Sequence, residues 1–151
     1  GLDVGRKRMG VAGCDGTGLI ATGLTTIQRT FWAADVRQLK DIVTAREVEI
    51  LVIGLPYRLD GTLGSQAQQV QKFADRISQT LQLPFEYVDE RLTSVEAEAQ
   101  LKAQNRFSTR NKGAIDQRAA EIILQQWLDT QRATKYKVQN IITEQSDLGY
   151  S

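Results

Sequence analysis

The stretch EILVIGLP, residues 49–56, constrains the fold more than any other part of the chain. Ile50, Leu51, Val52 and Ile53 leave no polar residue for either face of a strand, and Gly54 and Pro56 close the run. A strand that is apolar on both faces belongs inside a sheet covered on both sides, where its neighbours are usually parallel. The flanking sequence fits such a sheet. Val36, Leu39, Ile42 and Val43 recur at helical spacing over 35–47, and Ala67, Val70, Ala74, Ile77 and Leu81 make one stripe of a second helix. Ser65 and Gln68 have capping-box spacing at its start. Leu83 and Pro84 break it, and FEYVD at 85–89 reads as a further strand.

Before this unit, segments 2–5, 9–14 and about 19–28 read as three short strands joined by Gly-rich or basic turns, an antiparallel meander. After it, Thr93 with Glu96 offers another capping box for a helix over about 94–104. QNRFSTRNKG is a polar, basic loop, and AIDQRAAEIILQQWLD makes a long final helix. The expected fold is therefore α/β: a mixed five-stranded sheet, three antiparallel strands followed by parallel ones, flanked by helices. The ribonuclease-H-like fold has this order, and so do the first halves of actin-like and sugar-kinase ATPase domains. A single domain is expected over 1–132, followed by a tail at 133–151 that shows no clear period and carries no structural expectation.

The chain has no histidine and a single cysteine, Cys14. That removes Ser–His–Asp and Cys–His triads, zinc sites built on soft ligands, and any intramolecular disulfide. One unpaired cysteine fits a reducing cytoplasm, and Cys14 itself reads as a small core residue. No apolar run is long enough to span a bilayer, and the opening residues do not have the pattern of a signal peptide. A net charge of +1 says nothing by itself about partners. Chemistry, if present, has to run through carboxylates, lysine, hydroxyls or a hard metal ion.

Three acids occupy telling places. In GLDVGRKRMGVAGCD, Leu2 and Val4 alternate with Asp3, so a strand here turns Asp3 away from the face its neighbours bury. Glu90 follows the FEYVD strand, and strand carboxyl ends are where sites form in open α/β sheets. Asp89 and Glu90 point to opposite faces, so only one of them can join a cluster; the alternative for Glu90 is a simple pair with Arg91. On a helical wheel the apolar set Ile115, Ala119, Ala120, Ile122, Ile123, Leu124, Trp127 and Leu128 centres almost on Asp116. This acid is either a site residue or a helix-start carboxylate favoured by the dipole. Acids held together repel, so convergence makes sense with a divalent cation, and an all-oxygen set favours Mg²⁺ or Mn²⁺.

GLDVGRKRMGVA, LVIGLP followed by LDGTLG, VDERLTS and IDQRAA occur in the order and spacing of the YqgF/RuvX family. The chain resembles that family over about residues 2–131. The family is described as pre-16S rRNA nucleases or Holliday-junction-resolvase-like proteins of ribonuclease-H-like fold. The resemblance implies that Asp3, Glu90 and Asp116 form the acidic cluster, serving as both catalytic residues and metal ligands. It implies hydrolysis of phosphodiester bonds at the 5′ end of pre-16S rRNA, or cleavage of a four-way DNA junction. The central strand ends in GLP, where other ribonuclease-H-like enzymes often place an acid.

Nucleic acid is the expected partner, either pre-rRNA or branched DNA, and no membrane is expected. Basic residues placed to grip phosphate are Arg6, Lys7, Arg8, Arg58, Arg91, Arg106, Arg110 and Lys112, with Phe107 available for base stacking. Two further readings stand beside a nuclease: a nucleic-acid-binding module without catalysis, and an actin-like phosphotransferase. The last ordinarily needs two domains, and this chain has room for one.

Overall fold

The computed structural model describes residues 1–91 and 112–147. Its elements are β1 (Leu2–Val4), β2 (Arg8–Cys14), β3 (Ala21–Gln28), α1 (Trp32–Ala45), β4 (Leu51–Leu55), α2 (Ser65–Leu81), β5 (Phe85–Asp89) and α3 (Lys112–Asp147). The strands form one sheet in the order β3-β2-β1-β4-β5. β1 to β3 pair antiparallel, while β4 is parallel to both β1 and β5. This is the mixed ribonuclease-H-like arrangement that the element order predicts.

Every residue of β4 is buried, as its sequence requires of a central strand. Leu51, Ile53 and Leu55 join Leu2, Val4, Met9 and Val11 on one face, beneath Leu39 of α1 and Val70, Phe73 and Ile77 of α2. Val52 joins Ala12 and Val88 on the other face, beneath Ala120, Ile123, Leu124 and Leu128 of α3. Strict alternation along β1 and β4 thus feeds two cores, and burying each large aliphatic side chain contributes roughly 1.5–3 kcal/mol. The tryptophans pack: Trp32 meets Phe73 edge-on at 5.8 Å, and the Trp127 indole donates to Glu86.

Two expectations are corrected. α2 takes Gly64, not Ser65, as its N-cap residue, with no side-chain cap; the Gln68 N–H bonds to the Gly64 carbonyl. The final helix does not stop near residue 129 but runs on to Asp147. Ile141 and Ile142 in that extension are 54 % and 61 % exposed. The described side chains of that extension from Ala133 to Thr143 are all exposed, and a helix stretch that buries none of them has no reason to show a hydrophobic period, which is why the sequence there shows none. The expected helix at 94–104 and the basic loop after it lie outside the described residues.

α3 is tied along the edge strand β3. The Ala21 N–H donates to Gln125 Oε1 at 2.8 Å, the Gly23 N–H to Glu121 Oε1 at 2.9 Å, and the Thr26 hydroxyl to the Gly113 carbonyl at 2.6 Å. These bonds satisfy edge groups that would otherwise face solvent unpaired. They also hold the first turns of α3 against β3 and β2.

Candidate acidic site

Asp3 sits at the centre of β1, opposite Gly10 of β2. Its neighbours Leu2 and Val4 enter the α1/α2 core, so the pleat sends Asp3 to the α3 face. Glu90 comes from the other side of β4. Its N–H bonds to the Leu55 carbonyl, which continues the sheet pairing one residue past β5. Alternation is preserved, and Glu90 joins Val88 on the α3 face. There it hydrogen-bonds Asp3.

Asp89 goes elsewhere. Arg91 donates its Nε to Asp89 Oδ2 at 2.9 Å and its N–H to Oδ1 at 3.0 Å, and its guanidinium also lies over the Tyr57 ring. The Arg91 hydrogen bonds hold the Asp89 carboxyl below the usual carboxylate range. Of the two adjacent acids, Glu90 meets Asp3 and Asp89 is neutralised at the surface.

Close approach depends on glycines on this face. A Cβ on Gly54 would stand 3.1 Å from Glu90 Cδ and 2.5 Å from Ile123 Cδ1. Glu90 therefore reaches Asp3 by passing over β4 at its one position without a side chain. A Cβ on Gly10 would fall 2.0 Å from the Asp116 carbonyl oxygen, so the backbone of α3 rests directly on β2. That contact brings the third acid to the same part of the sheet.

Burial dominates the electrostatics. Glu90 is pushed up to about 9, first by desolvation and then by its hydrogen bond and charge interaction with Asp3. Desolvation also raises Asp3, with the Asp116 charge adding to the effect and the Glu90 hydrogen bond opposing it. Two hydrogen-bonded carboxyls in such a place, one buried and one half-buried, disfavour a second negative charge and titrate as a unit.

Asp116 lies on the sheet-facing side of α3, as the helical wheel predicts, but its carboxyl is engaged. Arg8 donates Nε to Asp116 Oδ2 at 2.8 Å. Arg8, expected on the phosphate-gripping rim, is instead the partner of the third acid, and nothing local in the sequence signals that pairing. Among the described residues no three acidic, histidine or cysteine side chains are grouped to hold a metal. Asp3 and Glu90 are nonetheless a donor set that suits a hard dication. Glu90 is buried and Asp3 half-buried, both offer oxygen alone, and desolvation disfavours their charged forms, which a cation would stabilise.

The other basic candidates divide. Arg6 and Lys7 are exposed on the β1–β2 turn, and Arg58 is exposed on the loop after β4. Arg91 is occupied by Asp89. Lys112 is the first residue of α3, while Arg106, Phe107 and Arg110 lie outside the described residues. Sequence reasoning missed the role of Gly54 as a passage. The available signal was the absence of a side chain at the end of β4, where an acid would otherwise be expected.

Comparison with known proteins gives the family. A family model described as "RuvX: Holliday junction resolvase" matches residues 1–130. A protein of Rippkaea orientalis is 73 % identical over 132 residues, covering 87 % of this chain and 95 % of that protein. One from Synechocystis is 66 % identical over 133 residues, 88 % of each chain. Both carry the description "Putative pre-16S rRNA nuclease". Among solved structures, "Thermus thermophilus RuvC structure" aligns over 82 % of this chain and 90 % of that one, with TM-score 0.49 and 11 % identity. On the extent of the family match and the identity of these relatives, the chain belongs to the RuvX family.

Proposed function

We propose that this protein is a divalent-metal-dependent nuclease that hydrolyses phosphodiester bonds in the 5′ region of pre-16S rRNA. One arrangement carries the reading: buried Glu90 and half-buried Asp3, carboxyls from strands that are not neighbours, meet on one face where desolvation disfavours their charged forms and a cation would be well accommodated. The relatives' descriptions supply the substrate class.

Asp3 and Glu90 would hold Mg²⁺ or Mn²⁺, with Asp116 as the third ligand. When bound, such an ion supplies the positive charge that activates a water and offsets the charge gained by the leaving 3′-oxygen. The chain's own residues do the rest. Asp3, on the most central short strand, is fixed by pairing on both sides and sets the position of the cluster. Glu90 gives up its proton when the pair is neutralised from outside. Arg6 and Lys7, exposed at the turn that follows β1, take up backbone phosphates and orient the strand to be cut. No helix among the described residues is long and apolar enough to cross a membrane, and the proposed site of action is the cytoplasm, where the rRNA precursor is met.

A second reading, cleavage of a four-way DNA junction, is favoured by the description of the family model. Paired symmetric cuts there would require a two-fold dimer. The test offers the protein both a 5′-precursor RNA segment and a four-way junction, with Mn²⁺ or with chelator, beside the Asp3→Asn variant. Metal-dependent cleavage of the RNA, abolished by Asp3→Asn with the fold intact, is the expected result. Symmetric junction cuts would move the assignment to the second reading. Tight binding without any product would leave a binding module, and cleavage by Asp3→Asn at the wild-type rate would remove Asp3 from the mechanism.

A further inference from the structure

Arg8 opens β2 next to the exposed Arg6–Lys7 turn, yet its side chain turns inward to Asp116. The pair is accessible to water: the Arg8 and Asp116 side chains are 29 % and 20 % exposed. The main chain of Asp116 has little freedom, because its carbonyl rests on Gly10. Its carboxyl can change partner only by rotating. Asp3 lies directly across from Gly10 and feels the Asp116 charge, so the acidic pair is within electrostatic reach of this carboxyl.

We propose that Arg8 is a latch on Asp116. The guanidinium holds this carboxyl off the acidic pair, and a divalent cation has to displace it to gain Asp116 as a ligand. This positioning role rests on the metal-dependent reading above. It accounts for a three-acid set that is brought to one face without being grouped as a metal site. A partly exposed ion pair is weak enough to be exchanged. The guanidinium it releases is shaped for the oxygens of a phosphate, so opening the latch delivers Arg8 to the rim on which the sequence places it. The latch therefore lowers the cation affinity of the free protein.

The test measures binding without turnover, from the loss of the free Mn²⁺ electron paramagnetic resonance signal. Wild type, Arg8→Met, Asp116→Asn and the double variant are compared, with circular dichroism to check the fold. Arg8→Met keeps much of the aliphatic stem and is expected to tighten Mn²⁺ binding about fivefold, the measure of one weak ion pair. In the Asp116→Asn background the same substitution is expected to give no gain. Arg8→Lys, which retains the charge but not the Nε donor, gives a smaller gain and serves if Arg8→Met unfolds. Unchanged affinity in both Arg8 variants overturns the latch while leaving the metal reading in place. An equal gain in the Asp116→Asn background also overturns it, since removal of positive charge alone would then explain the effect. If wild type and all variants bind no Mn²⁺, the metal-dependent reading fails, and the latch with it.

Discussion

The side chain of Glu90 crosses β4 at Gly54 on its way to Asp3. The two acids belong to strands that are not neighbours, since β4 lies between β1 and β5. A Cβ on residue 54 would stand 3.1 Å from Glu90 Cδ and 3.2 Å from Cγ. A side chain on β4 and a carboxylate arriving from β5 therefore compete for one volume. The strand end that lacks an acid is the strand end a more distant acid needs empty.

Gly54→Ala should break the Asp3–Glu90 hydrogen bond. The added methyl also meets Ile123 Cδ1 at 2.5 Å, so a cost of about 1–3 kcal/mol in urea unfolding is expected from overpacking. Ile123→Val removes that atom and should recover part of the stability without restoring nuclease activity. Full activity in the double variant would show that Gly54 is not the passage.

Stability without metal should fall as pH rises. Glu90 titrates at about 9 in the folded chain against 4.5 ordinarily, so between these values the native state holds a proton the unfolded state has lost. The contribution is complete below pH 4.5 and is lost as pH rises through 9, at no more than about 1.4 kcal/mol per pH unit. The upward shift of Asp3 acts in the same sense. Melting temperatures in chelator at increasing pH should show the decline, and Glu90→Gln should flatten it. Saturating Mg²⁺ should restore stability on the alkaline side by replacing the proton. A flat wild-type profile would mean that the pair does not share a proton.

Gly10→Ala should cost more than Gly54→Ala. Its Cβ would sit 2.0 Å from the Asp116 carbonyl oxygen, which belongs to backbone and has no rotamer to escape into. The start of α3 must then lift from β2, at a cost of about 3 kcal/mol by analogy with severe overpacking. Gly16→Ala, whose Cβ meets nothing within 4 Å, is the control and should stay within about 0.5 kcal/mol of wild type. Chemical denaturation of the three chains distinguishes the cases.

Arg6 and Lys7 should matter through salt. If both hold phosphates, replacing them with alanine weakens binding of the single-stranded RNA segment. The slope of log K against log salt should then become shallower by roughly 0.7 for each phosphate no longer neutralised. An unchanged slope would place the substrate on another edge of the sheet.

Much of this site was legible in local pattern. The alternation of Leu2, Asp3 and Val4 assigns Asp3 to the face opposite the α1/α2 core. The wheel that centres Asp116 on an apolar stripe is matched by the burial of Ala119, Ala120, Ile123 and Leu124 around it. The all-apolar β4 is the central strand its composition demands. These are consequences of strand and helix periods, which act between residues a few positions apart and so are written in the sequence itself.

Tertiary structure decided what those periods do not reach. Asp89 and Glu90 are adjacent and chemically alike. Only the pairing of Glu90 with Leu55 and the reach of Arg91 to Asp89 send one inward and hold the other at the surface. The meeting of residues 3, 54 and 90 requires β4 to lie between β1 and β5, a fact of strand order. The pairing of Arg8 with Asp116 joins residues 108 positions apart. Capping went the same way: Ser65 and Gln68 have the spacing of a box, but the chain enters α2 one residue earlier, at Gly64. Periodicity assigns a residue to a face, whereas contact between faces exists only after the sheet has chosen its neighbours, and that choice is made by the packing of the whole chain.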